Sequence, residues 1–203
     1  MPEIKNIKKL TDSRYLNMYE LDARNRVGGA VDYFVASRAK SAEELELVTK
    51  VCHPDGVGIF SLYGEAKDRV VLIRQYRYTL DDYIYELPAG LIDEGEDPKT
   101  ASVREMKEET GLDFHPIQAD PMFERPYYTT IGMTDESLVM SYGYSDGEVS
   151  RKYLEDDEEL DVVIADRTEV LRILKEERVA LICAFMLMHF LSESEPFGFL
   201  KQV

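Results

Sequence analysis

The chain has 203 residues, about one and a third times the ~150-residue domain prior, so one compact domain carrying a smaller appendage is expected. With 44% hydrophobic and 32% charged residues its composition is globular, which excludes collagen-like, low-complexity and mostly disordered chains. Lys+Arg 24 against Asp+Glu 40 leaves a net charge of −16, a field that repels phosphate backbones and anionic lipid, so neither nucleic acid nor membrane is an expected partner. An anionic substrate would need local neutralisation, for which a divalent cation held by surplus carboxylates is the obvious candidate.

The N-terminus, MPEIKNIKKL, is cationic but has no apolar stretch behind it, so no signal peptide is expected. Tyr15–Leu21 and Ala30–Ala36 read as strands flanking the turn-prone Gly28-Gly29, a hairpin appendage. Its alternating residues Leu16, Met18, Val31, Tyr33 and Val35 are apolar surface that a two-stranded unit cannot bury alone. Ser41 followed by Glu43 and Glu44 opens a short element only. Val57–Tyr63 and Val70–Tyr76 read as strands of a main sheet, Ser137–Tyr144 alternates with period two up to a turn at Asp146-Gly147, and Leu160–Ala165 is a further strand.

The run Glu155–Glu159 lacks the alternating ligands and glycine of a calcium loop and reads as a solvated charged edge. Asp166 with Glu169 forms a capping box for a helix to about Glu177. Val179–Leu191, too short for a membrane span, reads as a buried helix. Cys52 and Cys183 stand far apart without metal spacing, which fits a reducing, cytoplasmic setting. His53, His115 and His189 share no metal spacing either and are assigned to loop or core roles; no Ser-His-Asp or Cys-His arrangement is visible.

The informative segment is ELPAGLIDEGEDPKTASVREMKEETGLDF, Glu86 to Phe114. Asp97-Pro98 is an N-cap and first-turn pair and Gly111 a C-cap, predicting a helix of about thirteen residues between them. On that helix Lys99, Val103, Met106 and Thr110 form one stripe for the core, and Glu105, Glu108 and Glu109 cluster on the opposite, solvent-facing side. Like charges within a turn repel. Arg104 reaches Glu108 at i+4, but one guanidinium does not neutralise three carboxylates. Converging hard oxygen ligands, with Glu96 in the preceding loop, suit Mg²⁺ or Mn²⁺.

Gly90, five residues, Glu96, seven residues, then Arg104-Glu105-Met106-Lys107-Glu108-Glu109-Thr110-Gly111-Leu112 resembles the complete signature of the Nudix hydrolases. Seven fixed identities at roughly 7% background each make about one chance match in 10⁸ per register. Arg74-Gln75-Tyr76-Arg77, the Glu86–Gly90 lead-in, the N-terminal strand pair and the acidic run before the last helices resemble the ADP-ribose pyrophosphatase branch. One departure is Thr130-Ile131-Gly132 where the branch usually has Ser-Pro-Gly, so the loop lacks a proline to fix its φ.

The resemblance implies an α/β fold, a Nudix-type α/β/α sandwich on a mixed sheet, with an N-terminal antiparallel β appendage. It divides the chain into residues 1–45, the hairpin used for dimerisation and substrate enclosure, and 46–203, the hydrolase domain. The implied reaction is metal-dependent hydrolysis of a nucleoside diphosphate linked to another group, foremost ADP-ribose to AMP and ribose 5-phosphate. Glu105 and Glu109 are the implied principal metal ligands, with Glu108 assisting, the Ala89 carbonyl joining them and Arg104 orienting carboxylates. Arg77 is phosphate-facing, and Glu86 lies on the substrate side with it. Glu136, on the loop after the helix, positions or deprotonates the water. Tyr128, beside Tyr127, stacks on a base or packs in its loop. Similar N-terminal strands imply a two-fold homodimer enclosing the nucleoside end of a nucleotide-sugar substrate. The alternatives are another nucleotide-sugar or a dinucleoside polyphosphate hydrolase, or a sensor that binds a nucleotide sugar without cleaving it.

Overall fold

The computed structural model describes residues 1–154 and 158–201. In chain order these form β1 (Glu3–Lys9), β2 (Asn17–Arg24), β3 (Ala30–Ser37), α1 (Glu46–Thr49), β4 (Gly56–Tyr63), β5 (Arg69–Arg77), β6 (Asp82–Glu86), β7 (Ala89–Leu91), α2 (Pro98–Thr110), β8 (Asp113–Pro116), β9 (Tyr127–Tyr128), β10 (Ser137–Asp146), β11 (Leu160–Ala165), α3 (Arg167–Glu176) and α4 (Leu181–Ser192). The chain folds into two units, Met1–Asp55 with Pro126–Leu138, and Gly56–Arg125 with Val139–Val203. Among the described residues no helix is long and apolar enough to cross a membrane.

The first unit is built on an antiparallel sheet in the order β1-β2-β3. The expected hairpin is present, closed by the Gly28 N–H to the Asn25 carbonyl with Gly28 at φ 86°, a backbone state open to glycine at no steric cost. The structure adds a third strand, β1, whose lysine-rich sequence EIKNIKK hides its strand character. Tyr19 and Leu21 of β2 are buried with Leu45. The five apolar residues singled out from the sequence do not share one face: Val31, Tyr33 and Val35 oppose Ala23, Leu21 and Tyr19, while Leu16 and Met18 lie exposed on the other side with Phe34.

In the second unit the sheet runs β11-β5-β4-β10-β8, with β6 beside β5 and β7 beside β4. The paired strands are antiparallel except β4 and β10. Their contacts step in the same direction, Asp55 N–H to Ser137 carbonyl and Gly64 N–H to Ser145 carbonyl, so the sheet is mixed. Alternation sends Val70 and Leu72 to one face, where Val170 and Ile173 of α3 and Cys183, Leu187 and Phe190 of α4 cover them. Val71 goes to the other face with Val57 and Ile59, under Ala101 and Met106 of α2. Each fully buried Leu, Ile or Met contributes roughly 1.5–3 kcal/mol, so these two layers fix the position of α2 on the sheet.

Helix α2 has the bounds the caps predict: Asp97 accepts from the Lys99 and Thr100 N–H groups, and Gly111 ends the helix in the left-handed region. Its rotation differs from the expected stripe. Ala101, Ser102, Met106, Glu109 and Thr110 are buried, and Val103 is exposed. Two small residues let this arc approach the sheet, Ser102 accepts a hydrogen bond from Ser141 Oγ at 3.0 Å, and Lys99 is drawn outward to Glu124 at 2.9 Å. Glu109 therefore turns inward, and the expected solvent-facing acidic surface is not what forms.

Helix α4 also corrects its expectation. Only one side is buried, and Leu181, Phe185 and Met188 remain exposed on the other. Asp166 accepts from the Glu169 N–H at 2.8 Å as the capping box of α3 requires. Because α2 depends on its cap, Asp97→Ala should cost about 1 kcal/mol and lower the melting temperature by about 2–4 °C in thermal circular dichroism. An unchanged melt would show that Pro98 and the packing of Ala101 start the helix unaided.

Candidate active site

The second unit gathers Arg77, Glu86, Ala89, Gly90 and the α2 carboxylates. Glu105 lies directly over Gly90: a Cβ added there would stand 1.9 Å from Glu105 Cδ, so only glycine admits this approach. Glu109 is 2% exposed, and its Oε2 accepts the Ala89 N–H at 3.1 Å. Ala89 thus meets Glu109 through its N–H, while the atom expected to face the metal is its carbonyl.

Arg104 is the hub of the exposed half. Its Nε and Nη2 donate to Glu96 at 3.0 and 2.8 Å, its Nη1 to Glu105 at 2.7 Å and Glu108 at 3.0 Å, and its Nη2 also to the Leu91 carbonyl at 2.9 Å. These bonds hold the Glu96 carboxyl below the usual carboxylate range. Glu105 stays above that range because burial outweighs its bond to Arg104, with Glu108 and Glu158 adding repulsion. Glu109 lies well above it, first from burial and then from the neighbouring Glu158 and Glu105 charges.

Burial in a low-dielectric site without a paired cation favours the neutral carboxylic acid. Arg77 offsets little of this, because Glu86 already holds it through Nε at 3.3 and 3.2 Å and Nη2 at 2.5 Å. The donor set is hard oxygen throughout, with more carboxylates than cations, which fits Mg²⁺ or Mn²⁺. Among the described residues no three carboxylate, His or Cys side chains are yet drawn into ligating geometry; Arg104 instead spreads Glu96, Glu105 and Glu108 around itself.

Glu158 is a residue that sequence reasoning missed. Val162 and Ile164 of β11 pack in the α2 layer, and Leu160 opposes Gln75, so the period of two carries residue 158 to the same face. Its charge is felt by both Glu105 and Glu109. Of the expected solvated acidic edge, Glu159 is exposed and Glu158 is partly buried, while Glu155–Asp157 lie outside the described residues. The signal available was the inward phase of β11 extended by one step.

Tyr128 and Glu136 belong to the first unit. The Tyr128 hydroxyl donates to Glu46, which raises its phenol, and the residue is 46% exposed. Glu136 accepts from Thr129 Oγ1 at 2.9 Å and Arg38 Nη2 at 3.3 Å; Arg38, also unanticipated, lies 3.6 Å from Asp55 as well. Within this unit Arg38 and Glu136 border a cavity of about 510 Å³ whose walls include Leu16, Met18, Phe34 and Met133.

Comparison with known proteins gives a match to the NUDIX domain over residues 53–183. The chain is 33% identical over 131 residues to the methanol dehydrogenase activator of Bacillus methanolicus, covering 64% of this chain and 67% of that protein. It is 28% identical over 160 residues to the ADP-ribose pyrophosphatase of Saccharomyces cerevisiae, covering 77% and 66%; the matched segments thus span about two-thirds of these relatives. A solved ADP compounds hydrolase shares the fold at a TM-score of 0.57 and 21% identity, over 86% of this chain and 83% of that one.

The raised Glu109 carboxyl makes stability depend on pH. The native state holds this proton more tightly than the unfolded chain, so its contribution is full below the ordinary value of 4.5 and is lost as pH rises through the higher native value. Glu109→Gln should therefore raise the melting temperature at pH 7 in EDTA, with the difference fading toward pH 4. A variant no more stable than the parent at pH 7 would show that Glu109 is ionised there without cost.

Proposed function

The chain belongs to the NUDIX family, and from that premise we propose that it is a divalent-metal-dependent pyrophosphohydrolase acting on a nucleotide sugar, foremost ADP-ribose, with AMP and ribose 5-phosphate as products. The observation that carries this reading is the pairing of Glu105 over Gly90 with the buried Glu109, two carboxylates without enough nearby positive charge. The ADP-ribose pyrophosphatases of Saccharomyces cerevisiae and of Bacillus subtilis among the relatives support the substrate class.

In this reading Glu105 and Glu109 hold Mg²⁺ or Mn²⁺, with Glu108 and the Ala89 carbonyl assisting. A divalent cation held there would supply neutralisation of phosphate oxygens and would acidify a water bound to it. Arg104 keeps Glu105 and Glu108 in place until then, and Arg77, braced by Glu86, gives the phosphates a fixed positive charge. The water loses a proton to a carboxylate, its oxygen bonds to one phosphorus, and the bridging P–O bond breaks toward the second phosphate.

Two carboxylates compete for that proton, Glu136 by family resemblance and Glu158 by its strand position. The phase of β11, which carries residue 158 onto the face packed under α2, favours Glu158. The exposed Leu16, Met18 and Phe34 give the first unit a surface for the two-fold homodimer.

With ADP-ribose and Mg²⁺, Glu109→Gln should abolish hydrolysis. Glu158→Gln should lower kcat by ~10²–10⁴ with little change in KM, and Glu136→Gln by less. The opposite ranking of the last two would return the base to Glu136, while a fully active Glu109→Gln would end the metal assignment. Light scattering should give twice the 23.4 kDa chain mass for the parent and a monomer for Phe34→Glu; a monomeric parent would refute the dimer.

A further inference from the structure

The two faces of the β5-β6-β11 edge carry different chemistry. On the α2 face stand Gln75, Arg77 and Glu86, since Glu86 opposes Ile73, which in turn opposes Val162 of the α2 layer. On the reverse face stand Arg74, Tyr76 and Tyr83, in register with Tyr85 of the α3/α4 layer. The Arg74 guanidinium lies 4.2 Å over the Tyr83 ring, and Tyr76 meets that ring edge-on at 5.6 Å. Tyr83 is thus held in place from two sides.

Glu159 is tied to this edge twice, in the plane of the sheet by its backbone and on the reverse face by its side chain. Its carbonyl accepts the Tyr76 N–H at 2.9 Å, and its carboxylate accepts the Tyr83 hydroxyl at 3.3 Å. Successive side chains of an extended strand point to opposite faces, so fixing Glu159 on the reverse face commits Glu158 to the α2 face. We propose that Tyr83, acting through Glu159, is a positioning residue that aims the Glu158 carboxylate at the Glu105–Glu109 pair. This rests on the proposed role of Glu158 and adds the device that supports it. The hydroxyl donates to Glu159 on the face opposite α2, so its effect on the reaction runs through the backbone of residues 158–159.

Tyr83→Phe removes the hydroxyl and keeps the ring that Arg74 and Tyr76 contact. With this one hydrogen bond lost, kcat should fall about twofold to tenfold at unchanged KM. Glu159→Gln, which retains an acceptor oxygen, should recover most of the parent rate, and Tyr83→Phe in the Glu158→Gln background should cost nothing further. A loss in KM alone, or one that multiplies with that of Glu158→Gln, would overturn the proposal.

A second readout needs no substrate. The ¹⁵N order parameter of the Glu158 amide should be near the ~0.85 of rigid backbone in the parent and lower in Tyr83→Phe. An unchanged value would overturn the positioning role whatever the protein hydrolyses, whereas a parent inert toward nucleotide sugars, with the order parameter falling as expected, would count against the proposed function alone.

Discussion

Taking a carboxylate out of water costs several kcal/mol when no cation accompanies it, and this protein takes Glu109 out of water at the centre of its main domain. The cost is set by the rotation of α2. Ala101, Ser102 and Met106 hold the helix against the sheet, and the same arc that buries Met106 buries Glu109. Gly90 completes the arrangement by letting Glu105 rest on backbone. The energy of the apolar layer thus keeps two carboxylates where solvation alone would not leave them.

The surrounding charges follow from that constraint. Arg104 compensates the accessible half of the cluster and leaves the buried half uncompensated. Arg77 has its orientation fixed by its partner Glu86 while nearly half of its side chain stays exposed. In a chain of net charge −16 such a local arrangement decides whether a polyphosphate can approach at all. Under the proposed function, a divalent cation between them would make the acidic cluster and an anionic substrate compatible.

Much of this was legible in the sequence where one local rule decides the outcome. Asp97-Pro98 and Gly111 bound α2, Gly28 closes the hairpin, Asp166 caps α3, and the Gly90–Leu112 spacing carries the family. What escaped depended on tertiary packing. The polarity of Glu109 argued for solvent and the apolarity of Val103 for the core, yet the small residues Ala101 and Ser102 decided the rotation the other way. Glu158 was hidden inside a run of like charges, where composition suggests a solvated edge and only the phase of β11 reveals an inward side chain. The lysines of β1 masked a strand, and the absence of charge in α4 concealed that one side of it faces out.

The central claim is that Glu105 and Glu109 are held in readiness for a divalent cation. Titration of the metal-free protein with Mn²⁺, followed by electron paramagnetic resonance, tests it without reference to any substrate. The account predicts saturable binding by the parent that weakens at least about tenfold in the Glu105→Gln/Glu109→Gln double variant, which is the loss of about 1.4 kcal/mol or more. Equal Mn²⁺ binding by the two proteins would contradict it.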